Sequence, residues 1–185
     1  TGYTVSEDGL TWTFTLREGV KWYRSDGSEY ADLTAQDFVT GLQYVCDPAN
    51  DSKTFDIVSS VVKNAQEYYS GAITDPNEIG VRAVDDMTVE YTLNAPTPYF
   101  LSMLSYVCFM PVNADFLAEV GDRFGTSADT LLYNGAYICQ EFNPQESQLW
   151  VKNPNYWNAD NVYIERIERT YNTEANKLAP DMYKQ

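Results

Sequence analysis

The chain has 185 residues, enough for one sizeable core or for a domain plus part of another. Its 44% hydrophobic and 15% aromatic content, led by 15 Tyr, belongs to a folded protein rather than a disordered one. With 12 Lys and Arg against 27 Asp and Glu the formal charge is -15, which repels a phosphate backbone and argues against nucleic acid as a partner, and the lack of histidine removes every histidine-based catalytic triad or dyad.

In chain order, Tyr3-Thr4-Val5 reads as a short strand entering a turn at Glu7-Asp8-Gly9. Trp12, Phe14 and Leu16 then alternate with Thr11, Thr13 and Thr15, a period of two that puts the apolar side chains on one face of a strand paired antiparallel with the first. A second turn at Arg24-Ser25-Asp26-Gly27-Ser28 leads to Thr34-Ala35-Gln36-Asp37, the spacing of a capping box, so a helix begins at Ala35. Phe38, Val39, Leu42, Val45 and Cys46 recur at helical spacing, and Asp47-Pro48 stops the helix.

The span 54–70 predicts one or two further helices ending at Gly71, and Ile79–Val84 with Met87–Leu93 predicts a hairpin turning at Asp85-Asp86. After Pro96 and Pro98, residues 99–104 are apolar almost all round and predict a short buried helix. Asn113 is placed to cap a helix over 114–120. The polar stretch 121–129 marks the expected domain boundary, and beyond it three strands are expected over 135–139, 148–152 and 162–168.

Little here points to chemistry. No Gly-x-Ser-x-Gly, P-loop or dinucleotide fingerprint occurs, and Glu7, Asp8, Asp85 and Asp86 fall in turns where solvation keeps a carboxylate ordinary, so an enzyme is not expected. Asp26–Glu29 and Asp47–Asp51 lack the ligand spacing of a calcium loop and read as turns. Cys46, Cys108 and Cys139 are odd in number and far apart; each is expected to be a buried free thiol, while a single disulfide stays open with no pair favoured. Trp22, Tyr23, Trp150, Tyr156 and Trp157 are candidates to stack on a sugar or peptide, against the commoner alternative that they are core. No apolar run reaches the roughly 18 to 20 residues that span a bilayer. The start Thr1-Gly2-Tyr3 carries no initiator Met, and the end Asp181-Met182-Tyr183-Lys184-Gln185 has no terminating element. A piece of a longer chain is therefore expected.

Four blocks together resemble the peptide-binding members of extracellular solute-binding family 5, the capture components of oligopeptide and dipeptide ABC importers. They are Asp8–Trp22 followed by Ser25-Asp26-Gly27; Leu33–Val39; Val81–Val89 through Pro98-Tyr99-Phe100; and Asn134-Gly135-Ala136-Tyr137 with Lys152–Trp157. The inserted Tyr23-Arg24 and the stretch Glu29–Asp32 resemble the Gram-positive style of the family.

The resemblance implies a mixed α+β fold, a fragment of a type II periplasmic-binding-protein-like architecture with antiparallel hairpins and small sheets packed with short helices. Residues 1–120 would be the small extra domain and 121–185 part of the first lobe. It also implies a peptide ligand, ABC permease subunits as partners, no cofactor and no metal. The protein would be a monomer outside the cell, either periplasmic or held to the membrane only by a lipid anchor beyond this segment. Nickel, haem or another non-peptide solute, or a carbohydrate-binding module, is the alternative. Phe55, in the loop after Asp47-Pro48, is the one candidate ligand contact, because some relatives place an aromatic contact there.

Overall fold

The computed structural model describes residues 2–174; Thr1 and the expected chain end at Asp181–Gln185 lie outside the described residues. Two compact units are formed, one from Thr1–Gly19 with Asp32–Glu119, the other from Val20–Ala31 with the chain from Val120 onward. The division falls after Glu119, and residues 20–31 group with the second unit although their sequence neighbours belong to the first. No local signal in those residues announces this, because the pairing responsible is with Tyr133.

In the first unit, β1 (Gly2–Val5) and β2 (Thr11–Thr15) form the expected antiparallel hairpin, as do β5 (Val81–Asp85) and β6 (Thr88–Thr92). They join as one sheet in the order β1-β2-β6-β5. The register explains the alternation: Tyr3 faces Phe14, Val5 faces Trp12, Trp12 faces Tyr91 and Phe14 faces Val89, so one side of the sheet is wholly apolar. The other side pairs Thr4 with Thr13, Thr11 with Thr92 and Thr15 with Thr88, and carries the Arg82–Glu90 ion pair at 2.7 Å. A one-residue slip would turn the aromatic rows outward, which is why this register is strongly specified. The first turn needs its glycine: Gly9 sits at φ +71 while the Asp8 carboxylate accepts the Ser6 hydroxyl at 2.5 Å and the Leu10 amide at 3.0 Å.

Helix α1 (Ala35–Cys46) covers the apolar side of the sheet with Val39, Leu42 and Cys46 buried. It starts where the sequence predicts, with the Thr34 amide donating to Asp37 Oδ2 at 2.8 Å to close the capping box, and the Ala35 amide bonds the Asp86 carbonyl at 2.8 Å. The span 54–70 holds two short helices, α2 (Phe55–Ser59) and α3 (Ala65–Tyr69). The helix expected near residue 100 is α4 (Phe100–Met103), yet only Phe100 is buried and Leu101 is 45% exposed. A single turn has one inward side, so an all-round apolar sequence cannot be buried by it. Helix α5 (Ala114–Val120) takes its N-cap from Asn113, whose Oδ1 accepts the Phe116 amide at 3.0 Å.

In the second unit β3 (Lys21–Tyr23) and β4 (Glu29–Asp32) make a two-stranded ribbon, with Lys21 Nζ 2.5 Å from Glu29. A three-stranded antiparallel sheet follows, β7 (Tyr137–Asn143), β8 (Ser147–Lys152) and β9 (Arg166–Thr170), in that order. The last strand begins four residues later than its alternation predicts: Tyr163 and Ile164 are exposed, and the ladder starts where Arg166 meets Val151. Asn153 joins two of the sequence blocks. Fully buried, it donates its side-chain amide to the Gly135 carbonyl at 3.0 Å, its backbone amide to the Ala136 carbonyl at 2.9 Å, and accepts the Asn155 amide at 3.0 Å. A buried amide bonded through its Oδ1, its Nδ2 and its backbone N–H favours one local conformation, the physical content of the Asn-Gly-Ala-Tyr and Lys-Asn-Pro motifs.

Candidate functional site

The loop that carries Phe55 is built by local polar contacts. Asp47 precedes a proline and ends α1, and its Oδ1 then accepts the Ala49 amide at 2.9 Å, so the carboxylate serves a turn. Asp51 takes a left-handed conformation and pairs with the Lys53 ammonium, a hydrogen bond that raises the lysine pKa. Phe55 opens α2 with its ring stacked on Tyr69 of α3, centroids 4.0 Å apart and planes 19° from parallel, and is 7% exposed. The candidate contact is thus mostly covered by Tyr69 and its core neighbours, while Pro48, Ala49, Asn50, Asp51 and Lys53 of the loop are exposed.

Elsewhere in the first unit lies an apolar pocket of about 440 Å³. Tyr3, Phe14 and Leu16 from the β1–β2 hairpin, Phe38 from α1 and Leu104 and Met110 from the α4 region line it, over Val89 and Tyr91 of β6. It exists because the apolar face of β2 runs on to Leu16, whose amide bonds the Met87 carbonyl at 2.8 Å, past the last residue paired with β1. Burial pushes the Tyr91 hydroxyl up, which keeps it neutral. The pocket offers mainly apolar contact, beside a tyrosine hydroxyl that stays neutral. Sequence reasoning missed it, since five separate segments form it; the apolar run 99–104 was the available signal.

The remaining candidate aromatics divide. Trp22 and Tyr23 are buried, and Trp150 is half-buried with its ring edge-on to Tyr133 at 6.4 Å. Trp157 is exposed beside Tyr156, ring centroids 5.4 Å apart. The turn carboxylates are not all ordinary: the Ser6 hydroxyl, then the Leu10 amide, hold Asp8 below its usual value, and Ser28 does the same for Asp26. Both shifts run opposite to that of a general acid. Among the described residues no group of three or more His, Cys, Asp or Glu is arranged to hold a metal.

The family model for bacterial extracellular solute-binding proteins, family 5, matches residues 1–183. The oligopeptide-binding protein SarA of Streptococcus gordonii is 47% identical over 171 residues, 91% of this chain and 26% of SarA. AliB of Streptococcus pneumoniae, also an oligopeptide-binding protein, is 44% identical over 170 residues, again 91% of this chain and 26% of its own length. Among solved structures, the substrate-binding domain of an oligopeptide ABC transporter from Bacillus anthracis superposes with a TM-score of 0.86 at 32% identity. That match covers 98% of this chain and 34% of the other. The pheromone receptor PrgZ, solved for its mode of peptide binding, gives 0.84 at 32% identity over 97% of this chain and 35% of its own. The chain thus spans 26% of the length of the streptococcal relatives, and the mixed α+β fold with small antiparallel sheets is the one those structures share. The chain belongs to the bacterial extracellular solute-binding proteins, family 5.

Proposed function

We propose that this chain is part of the peptide-capturing component of an ABC importer, which closes on an extracellular peptide and delivers it unaltered to membrane permease subunits. The observation that carries the reading is the superposition of nearly the whole chain on a receptor solved for its peptide binding, together with relatives named for oligopeptide binding. The protein is read as a monomer outside the cell or in the periplasm, tethered at most by a lipid anchor beyond this segment.

In this reading the first unit is the small extra domain and the second unit is part of the first lobe. The loop after Asp47-Pro48 is the element of this chain that meets ligand. Phe55, at the end of that loop, is its candidate ligand contact, with its ring held in place by the stack on Tyr69.

The test is equilibrium capture from a random peptide library by the full-length protein, with mass spectrometry of the eluate and calorimetry on the enriched peptides. Peptides retained and recovered at unchanged mass are expected. Retention of nickel, haem or a glycan with no peptide enrichment overturns the reading, and recovery of cleaved peptides overturns the non-enzymatic part of it.

A further inference from the structure

Two of the three cysteines belong to the first unit and lie on elements that face each other. Helix α1 and the segment leading to Val112 run side by side in a register fixed by two contacts. The Val112 amide donates to the Asp37 carbonyl at 2.9 Å. One helical turn on, Gly41 approaches the Met110 carbonyl so closely that a Cβ there would lie 2.3 Å from its oxygen. Four residues of helix are thus matched by two of the facing segment. Beyond Met110 the facing segment becomes the turn Val107–Phe109, which also packs on α1; Cys108 lies in that turn and Cys46 is the last residue of α1.

The electrostatics agree with this placement. Burial, and then the neighbouring Cys108 thiol, push the Cys46 thiol up to about 12. Both side chains are buried thiols of one core cluster, and the Thr54 hydroxyl lies against the Cys108 sulfur. Cys139 stands apart on β7 in the second unit, where its thiol donates to the Glu141 carbonyl at 3.3 Å.

We propose that Cys46 and Cys108 form a disulfide when the chain folds in an oxidising compartment, and that Cys139 remains a free thiol. The oxidant is a disulfide, of a small thiol or of an oxidoreductase. One cysteine thiolate attacks it and releases a thiolate, giving a mixed disulfide. The second cysteine, on losing its proton, displaces the other half, so two thiols are oxidised to one S–S bond and the disulfide they attack is reduced to two thiols. Since the thiolate is the attacking species, burial that holds both groups protonated makes the folded pair inert. Exchange therefore takes place before α1 and the Cys108 segment close together, and the finished bond is shielded from reductant. The bond would close a loop holding α2, α3, the β5–β6 hairpin and α4, which restricts the unfolded chain and raises stability.

The test needs no ligand and is independent of what the protein binds. The full-length protein is refolded from denaturant in a mixture of reduced and oxidised glutathione, quenched with an alkylating agent under denaturing conditions and digested for peptide mass mapping. The expected result is alkylation at Cys139 and a linked pair of peptides carrying Cys46 and Cys108, two hydrogens lighter than their sum. The urea midpoint should lie above that of the reduced protein, and a reducing agent should act only once denaturant is added. The C139S variant should oxidise as fully as the parent. Alkylation of all three cysteines, a bond to Cys139, or a C139S variant that stays fully reduced overturns the proposal.

Discussion

Tyr23 and Tyr133 exchange two backbone hydrogen bonds, each amide donating to the other's carbonyl at 2.8 Å. This isolated bridge makes residues 20–31 part of the second unit, although they lie between two elements of the first. Both rings are buried in the small core with Ile138 and Cys139, and the Tyr133 hydroxyl reaches the Ala128 carbonyl at 2.8 Å.

Tyr133→Phe removes that one hydroxyl and keeps the ring. A net hydrogen bond contributes about 0.5–1.5 kcal/mol, and the Ala128 carbonyl loses its donor, so a loss of about 1 kcal/mol is expected in urea melts. The loss should appear in hydrogen exchange of β7 and β8 while the β1–β2 amides stay unchanged; a uniform change would count against a local role.

Gly41→Ala tests the close approach of α1 to the Met110 carbonyl. Alanine favours a helix interior over glycine by about 1 kcal/mol, so the substitution would stabilise an unobstructed site. Here the added methyl would sit 2.3 Å from a backbone oxygen, and strain of about 1–3 kcal/mol outweighs the gain. Net destabilisation in thermal or urea melts is expected. Gly135→Ala, with no atom within 4 Å of the added methyl, should be near neutral.

The two hairpins, α1 and α5 are legible in the sequence because each is written in short-range chemistry: alternation for Trp12, Phe14 and Tyr91, a capping box for Thr34 and Asp37, an N-cap at Asn113. Contacts between distant segments are what local patterns lack. Tyr23 carries no sign that it pairs with Tyr133, and the apolar pocket needs Leu16, Phe38 and Met110 at once. Phe55 stands out in the sequence by its place in a loop, yet its ring stacks on Tyr69 in another helix, a contact that no local pattern announces. Tyr163 and Ile164 alternate like a strand, but β8 offers them no partner.

Asp8 predicts an acid limb with a definite sign. The Ser6 hydroxyl and the Leu10 amide favour its carboxylate, so its folded pKa lies below the ordinary value, about 3.9. Its contribution to stability is therefore complete above that ordinary value and disappears as pH falls through the lower, folded one. NMR titration of the side-chain carboxyl should give a midpoint below the unfolded reference. Asp8→Asn should reduce the pH dependence of stability in that acid window and leave its shape near neutrality unchanged.

Trp12 poses the sharpest test of the apolar sheet face. It is 6% exposed, stacks on Tyr3 at 5.5 Å and meets Phe100 edge-on at 5.6 Å, so Trp12→Ala should cost about 3–5 kcal/mol. Its Nε1 is buried and finds no acceptor among the described residues. A buried donor without a partner costs about 1–3 kcal/mol, and Trp12→Phe removes that donor while keeping an aromatic ring on the same face. The phenylalanine variant should therefore lose far less than the alanine one, under about 1.5 kcal/mol. Paired urea melts of the two variants measure the difference: equal losses would mean that the indole nitrogen contributes favourably, and an alanine loss below about 1 kcal/mol would remove Trp12 from the core.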